Sequence, residues 1–228
     1  DMSLASPPAL GRPLGAPAAG VQLPLSAFLL GFAVVQFVYG PVSDVVGRRP
    51  VLMFGLGLFV AASVACALSP SITTLVAARF VQGAAGAAGL VIARAVARDR
   101  YEGVAMIRFM ASLAMISGLA PIVAPVLGAQ LLHVTDWRGT FAVLAALGAV
   151  LALLAALALE ESLPPERRHR GGLATTLGAI GGLLREGRFV GYVLTSTFAF
   201  GALFAYVSGS STVLQEVYRV SPQTYSLL

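Results

Sequence analysis

The chain of 228 residues has little charge, one cysteine and two histidines. Charged residues make up 11% of it, about half the fraction typical of a soluble domain. The single cysteine, Cys66, excludes an internal disulfide and any metal site built on paired cysteines. His133 and His169 fall in predicted loops, and no acidic residue lies in the middle of a predicted span, so the groups of a membrane-embedded active site are missing. We expect neither enzyme activity nor a bound metal or cofactor.

Long apolar runs dominate what is present. The chain is 57% hydrophobic, and its mean hydropathy is +0.86. A run of about 20 apolar residues crosses a hydrocarbon core about 30 Å thick, and it does so as a helix because lipid offers the backbone no hydrogen-bond partner. The predicted spans cover approximately residues 21–39, 51–68, 72–93, 105–132, 138–159 and 189–207. The sequence therefore predicts an all-α membrane protein.

A polar segment divides the spans into two groups. Residues 160–170 are polar and contain two adjacent prolines. Apolar residues then recur at helical spacing over 173–186, which predicts an amphipathic surface helix. We expect a membrane bundle over 1–159, a linker over 160–188 and the start of a second bundle over 189–228.

Arginine supplies every basic charge, and the arginines lie mainly on one side of the predicted spans. Eleven fall in loops on one side and three in loops on the other. By the positive-inside rule the rich side, with the linker 160–188, is cytoplasmic. The segment 1–20 is then outside, which predicts a helix before Asp1. Topology explains the net charge of +5 better than nucleic-acid binding does.

A short charged segment separates the first two spans. Hydrocarbon cannot solvate charges this close together, so the segment lies at a membrane face. Its residues resemble the signature between the second and third helices of the major facilitator superfamily: Gly40, Asp44, Gly47, Arg48 and Arg49. The resemblance implies a cytoplasmic gate in which Asp44 faces the positive end of a helix in the other half, while the arginines bind carboxylates or lipid phosphates. The alternative is a generic basic turn.

Arg79 and Gln82 lie inside the span 72–93. Charge at membrane depth costs about 2.5–3.5 kcal/mol on insertion scales and usually marks function. Residues three apart can share a helix face. The pair resembles the superfamily's fourth-helix motif, which implies an arginine facing the central cavity and tied to proton coupling. Such a coupling role needs this guanidinium to point inward to a watery path; the alternative is an arginine that snorkels to the outer surface.

Two more segments resemble motifs of proton-driven exporters. Pro121, Pro125 and Gly128 resemble the antiporter motif of the fifth helix, although alanine replaces glycine at three positions. The alternative is a kinked packing helix, because each proline removes one helical hydrogen bond. Asp1 resembles the carboxylate that ends the first helix of multidrug exporters, which implies a proton site near Arg79. The alternative is an ordinary loop aspartate.

Stretches along nearly the whole chain resemble the Bcr/CflA branch of the major facilitator superfamily, which is named for bicyclomycin resistance. They lie at 21–28, 99–101, 137–141 and 203–215. The resemblance implies a drug:proton antiporter of the bacterial inner membrane, built from two six-helix bundles. This chain would hold the first bundle, with its first helix mostly missing, and the start of the second. The partners implied are a small-molecule drug or metabolite, protons and the lipid bilayer, with no nucleic acid and a monomeric state.

Polar and aromatic residues near the ends of spans are candidates for lining the substrate cavity: Gln36, Tyr39, Gln82, Phe200, Tyr206 and Ser208. A pocket of this kind needs few polar groups, and aromatic residues in membrane helices more often serve packing. Two other readings of function stay open beside multidrug efflux. One is a metabolite exporter of the same fold, and the other is a truncated fragment that does not transport.

The arginine asymmetry gives a test of orientation. With Arg168→Cys in the full-length protein, a membrane-impermeant thiol reagent should label the linker in everted vesicles and not in intact cells. Cys66, inside an apolar span, serves as the background control. Labelling of the introduced cysteine from outside the cell would reverse the orientation assigned here.

Overall fold

The computed structural model describes residues 23–168, 178 and 180–212. Some side chains within the helices fall outside that description, those at 121, 122, 125, 129, 132, 133, 203, 204 and 207–212. The long described helices are α1 (Leu23–Val46), α2 (Arg48–Ala67), α3 (Ile72–Arg100), α4 (Gly103–Val134), α5 (Trp137–Ala158) and α6 (Gly187–Thr212), with a 3-10 turn over Pro165–Arg167. Residues 178 and 180–183 are also helical.

Helices α1 to α5 belong to one compact unit and α6 to a second. The units cover Asp1–Arg170 and Gly171–Leu228. In the described part of the chain, each of the five helices α1 to α5 contains a segment long and apolar enough to cross a membrane. The predicted all-α, multi-pass architecture is confirmed. The predicted boundaries at 159 and 188 stay predictions.

The helix ends differ from the predicted span ends. Helix α1 continues to Val46, α2 begins at Arg48 and α3 continues to Arg100, so the charged segment that separates the first two predicted spans is almost entirely helical. The chain leaves the helix only at Gly47, which has φ of 114°. The reason is physical: a helix satisfies its own backbone in water as well as in lipid, so it need not stop where the hydrocarbon stops. The helix even contains Pro41, next to a hydrogen bond of 2.8 Å from Ser43 Oγ to the Gly40 carbonyl.

Of the described helices in the first unit, α3 is the most buried: half of the residues in its most apolar segment are buried. Its buried positions are mostly glycine and alanine. A methyl group added at Gly83 would meet the carbonyl oxygen of Phe28, and one added at Gly31 would meet the carbonyl oxygen of Phe80. The backbones of α1 and α3 therefore touch where two small residues face them, the usual basis of close helix packing in lipid.

Helix α2 packs between α3 and α5. A methyl group at Gly55 would meet the Ala88 side chain of α3, and one at Gly148 of α5 would meet the Phe59 ring of α2. Between α1 and α2, an apolar groove of about 530 Å³ lies over α3. Its lining includes Val35, Val38, Tyr39, Val51, Phe54, Phe80 and Val81.

The α1–α3 contact predicts unequal effects of the same substitution at two glycines of α3. Gly83→Ala should destabilise the protein by about 1–3 kcal/mol, because the methyl group enters the space of the α1 backbone. Gly89→Ala is the matched control, since nothing lies within 4 Å of a methyl group there and alanine favours a helix by up to about 1 kcal/mol. Apparent melting temperatures in detergent measure both. Equal melting temperatures for the two variants would contradict the close contact.

A buried arginine cluster and a charged network at the helix ends

The Arg79 guanidinium lies in the interior of the first unit. The side chain is 1% exposed. Its guanidinium carbon is 4.4 Å from the centroid of the Phe28 ring and 5.6 Å from that of Phe141. Both distances suit a cation–π contact, which is strongest where water is excluded. Phe28 belongs to α1 and Phe141 to α5, so side chains from both helices enclose the charge.

Hydrogen bonds continue from Arg79 into α2. Arg79 Nη1 donates to Gln82 Oε1 at 2.7 Å, and Gln82 Nε2 donates to Ser63 Oγ at 2.7 Å. Ser63 Oγ in turn donates to the Phe59 carbonyl at 2.7 Å. Gln82 and Ser63 are both 0% exposed. The three side chains form a buried polar chain from α3 to α2, named here the Arg79 cluster.

The spacing of Arg79 and Gln82 predicts that they share a helix face, and the structure brings these two together on one face of α3. The guanidinium lies inside the bundle and not at the outer surface. With 1% of Arg79 exposed, the described residues show no watery path to the guanidinium, contrary to the sequence-based expectation. Its role in proton coupling stays a prediction. Asp1, the predicted proton carboxylate, lies outside the described residues.

The predicted cavity residues do not form one group in the described chain. Tyr39 is buried in a separate hydrophobic cluster with Val51, Ala87, Ala88 and Ile92. Gln36 is half-buried on α1. Phe200 and Tyr206 belong to the second unit, where they are exposed, and the Ser208 side chain lies outside the described residues. The structure therefore pairs Gln82 with Arg79 and leaves the lining of a cavity by the others as a prediction.

Helix α4 carries the predicted antiporter motif. The helix runs without interruption through positions 121 and 125, and Gly128 is buried. The side chains of Pro121 and Pro125 lie outside the description. An antiporter role for these residues stays a prediction.

Arg48 is the centre of a second polar network, at the arginine-rich end of the helices. Its Nε lies 2.9 Å from Asp99 Oδ2, and its Nη1 lies 2.6 Å from Asp44 Oδ1. Nη1 also donates to Ser43 Oγ at 2.6 Å. Ser162 Oγ donates to the same Asp99 oxygen at 3.1 Å. The expectation that Arg48 binds nearby carboxylates agrees with this geometry, and the carboxylates are Asp44 of α1 and Asp99 of α3.

The Arg48 network lines an open pocket of about 530 Å³. Its walls carry both signs of charge, from Asp44, Arg48, Asp99 and Arg167. Asp44 is the most accessible member of the Arg48 ion pairs, with 42% of its side chain exposed against 16% for Asp99. Of the two carboxylates, Asp44 is therefore the one that a positive group from outside the network can reach.

Glu161 binds the amino-terminal end of α2. Its Oε1 accepts from the backbone N–H of Arg48 at 2.9 Å, and its Oε2 accepts from that of Arg49 at 3.2 Å. Oε1 also accepts from the N–H of Leu163 at 3.0 Å. Burial alone would raise the pKa of Glu161, but these hydrogen bonds and the nearby Arg168 charge outweigh it and lower the pKa.

Gly47 makes this contact possible. A side chain there would be strained at φ of 114°. It would also collide with the Glu161 carboxylate and the Arg168 guanidinium. The second glycine of the motif is therefore required by the capping carboxylate as well as by the backbone.

The opposite end of α2 is bound by Arg138. Its Nη1 donates to the Ala67 carbonyl at 2.8 Å, and its Nη2 donates to the Ser69 carbonyl at 3.0 Å. Arg138 lies at the start of α5 and Glu161 lies just after its end. Residues in and just after α5 thus place an anion at the positive end of α2 and a cation at its negative end, each matched to the helix dipole.

Several contributing residues were not predicted as functional. Ser63 has no signal in the sequence, because a serine in an apolar helix usually bonds its own backbone. Glu161 was interpreted only as part of a polar linker. Asp99 lies in one of the stretches that resemble the Bcr/CflA branch, but the sequence predicts no contact for it. A pairing of distant charged residues follows from the packing of helices and not from their spacing along the chain.

A family model described as Major Facilitator Superfamily matches residues 2–228. The chain belongs to this superfamily. It is 46% identical over 230 residues to the uncharacterized MFS-type transporter YdgK of Bacillus subtilis (strain 168), a match that covers 100% of this chain and 57% of that protein. It is 32% identical over 222 residues to a bicyclomycin resistance protein homolog of Haemophilus influenzae, covering 96% and 55%.

A third relative is the multidrug transporter MdfA of Escherichia coli O6:H1, 31% identical over 216 residues, with 91% of this chain and 50% of that protein covered. The crystal structure of the human organic anion transporter MFSD10 superposes with a TM-score of 0.68 at 19% identity, over 98% of this chain and 58% of that one. It shows the fold. The predicted resemblance to the superfamily and to bicyclomycin resistance proteins is confirmed, and the chain spans about half the length of the curated relatives it matches.

The Glu161 contacts predict a pH-dependent stability. Glu161→Gln should lower stability at neutral pH by about 1 kcal/mol, because a charged acceptor at a helix start is lost. Since folding lowers the pKa of Glu161, its contribution is complete above the usual glutamate pKa and disappears as the pH falls through the lowered value. Melting temperatures of wild type and variant should therefore converge only in acid.

Glu160→Gln is the matched control. Glu160 is exposed and lies 3.8 Å from Arg100, a surface pair expected to contribute little. A difference between wild type and Glu161→Gln that stays constant into strong acid would contradict the carboxylate cap.

Proposed function

We propose that the full-length protein is a secondary active exporter of small molecules, driven by proton antiport with alternating access. The relatives support export of drug-like compounds, since their printed names include bicyclomycin resistance and multidrug transport. Membership of a transporter superfamily supports transport itself. We place the protein in the bacterial inner membrane as a monomer, with residues 160–188 on the cytoplasmic side.

The observation that carries the proposal is the buried guanidinium of Arg79 in a helix able to cross the membrane. A charge at this depth is costly, and here three neighbouring helices supply its surroundings. A fixed positive charge stabilises the ionised form of a nearby carboxylate, whereas an apolar cavity favours the protonated form. We assign Asp1 as that carboxylate, so that proton and substrate compete for one site beside Arg79.

The Arg48 network is proposed as the cytoplasmic gate. It fastens α1, α2 and α3 at their arginine-rich ends through Asp44, Arg48 and Asp99. The exposed face of Asp44 is free to receive the positive end of a helix of the second half. Release of that contact would accompany opening toward the cytoplasm, in line with the rocking of one bundle against the other. Gly40 and Arg49 are the remaining members of the proposed gate. The Arg49 guanidinium donates to the Ala156 carbonyl of α5 at 2.7 Å.

The substrate cavity is proposed near the middle of the membrane, between the two bundles. Its assigned lining is Gln36, Tyr39, Gln82, Phe200, Tyr206 and Ser208, with Pro121, Pro125 and Gly128 shaping the helix α4 beside it. An uncharged, partly aromatic lining suits a range of drug-like molecules, because no charged group in it fixes their orientation.

Transport in everted vesicles tests the proposal. The full-length protein should release protons from a preformed gradient when a substrate drug is added. Arg79→Ala should reduce that release at least tenfold, because removing the fixed charge changes the ionisation of the coupling carboxylate. Arg94→Ala is the matched control, since Arg94 belongs to the same helix but is exposed, and it should transport as wild type does.

Two results would contradict the proposal. Substrate addition that never releases protons in the wild type would remove antiport. Drug efflux that is unchanged by Arg79→Ala would remove the coupling role of Arg79.

A further inference from the structure

We propose that Ser63 is a positioning residue: it fixes the amide of Gln82 so that the amide oxygen faces the guanidinium of Arg79. This inference rests on the proposed coupling role of Arg79. Ser63 lies on α2, outside the superfamily motif that contains Arg79 and Gln82. Its hydroxyl oxygen accepts from Gln82 Nε2, and Gln82 Oε1 in turn accepts from the guanidinium, so we expect Ser63 to act through Gln82.

The polarity of the hydrogen-bond chain gives the direction of the amide. Ser63 has one hydroxyl proton, and it goes to the Phe59 carbonyl at 2.7 Å. The Ser63 oxygen is therefore left as an acceptor, and the group 2.7 Å away must be the amide nitrogen of Gln82. Gln82 Oε1 then points to Arg79 Nη1 at 2.7 Å.

The same matching of donors to acceptors excludes the opposite orientation of the Gln82 amide. It would direct the Gln82 NH₂ group at an arginine that can only donate, and it would leave the Ser63 oxygen without a donor from Gln82. Both groups are fully buried, so water would not repair the mismatch, and a buried donor without an acceptor is costly. Cys66 Sγ, 3.9 Å from Gln82 Oε1, is a further weak donor to the same oxygen.

Ser63 anchors one end of the hydrogen-bond chain to the backbone of α2. Its acceptor, the Phe59 carbonyl, is part of the α2 backbone, and α2 is bound at both ends by Glu161 and Arg138. The orientation of the Gln82 amide is thus fixed by the backbone of a neighbouring helix and not only by that of its own helix. Loss of Ser63 should allow the amide to turn and should move the guanidinium charge, while Phe28 and Phe141 still hold the side chain inside the bundle.

The experiment is a double-mutant cycle on the full-length transporter in everted vesicles, with drug-induced proton release as the readout. Ser63→Ala should slow transport about three- to tenfold, the effect of one buried hydrogen bond, and should also lower the melting temperature, because the buried Gln82 N–H loses its acceptor. Gln82→Ala should slow it at least as much. The double variant should match Gln82→Ala alone, because Ser63 acts only through that amide.

Two further variants separate the hydrogen bond from packing. Ser63→Cys keeps nearly the same volume but offers only a weak acceptor, so it should resemble Ser63→Ala; a role in packing alone would make it resemble wild type. Ser112→Ala is the matched control. Its hydroxyl also donates to a carbonyl four residues earlier, at 3.0 Å, but the residue is exposed, and transport should not change.

The failure of this inference differs from that of the proposed function. Three results would overturn the positioning role and leave the exporter proposal intact. The first is a double variant in which the effects of Ser63→Ala and Gln82→Ala multiply, and the second is full activity of Ser63→Cys. The third is no effect of Ser63→Ala while Arg79→Ala abolishes transport. Unchanged transport in Arg79→Ala would overturn the coupling proposal first, and the positioning role with it.

Discussion

The rest of the structure depends on keeping one guanidinium surrounded at membrane depth. Arg79 is tolerated there because Gln82 accepts its hydrogen bond and because aromatic rings of α1 and α5 lie against it. An isolated charge in hydrocarbon would leave its donors unsatisfied. Gln82 belongs to the same helix as Arg79, but the rings come from α1 and α5, so the arginine can be buried only after these helices have packed against α3.

Close packing around α3 provides that enclosure. The buried face of α3 is mostly glycine and alanine, which costs helix propensity at each glycine but lets the backbones of α1 and α3 touch at Gly31 and Gly83. A larger residue at either position would separate the helices and widen the space beside Arg79. The small residues and the buried charge are therefore parts of one arrangement: the first permits the second.

The sequence predicted the helices, the superfamily and the Arg79–Gln82 pair, because hydropathy, charge bias and motif spacing are local properties of the chain. It did not predict that α1 would continue to Val46, since a helix end and a membrane face are different boundaries. It also did not predict Ser63 or Glu161 as partners. Ser63 is 19 residues from Gln82 and Glu161 is 113 residues from Arg48, and only tertiary packing brings such residues together.

Helices α2, α3 and α5 are joined at several separated points, which bears on how the bundle can move. Arg48 joins α2 to α3 at one end through Asp99, and Ser63 joins them again through Gln82. Arg138 of α5 and Glu161, which follows α5, bind the two ends of α2. A helix held at both ends cannot slide against its neighbour without breaking charged hydrogen bonds. Sliding of α2 against α3 or α5 would therefore break contacts near both ends of α2, whereas Asp44 of α1 is still accessible.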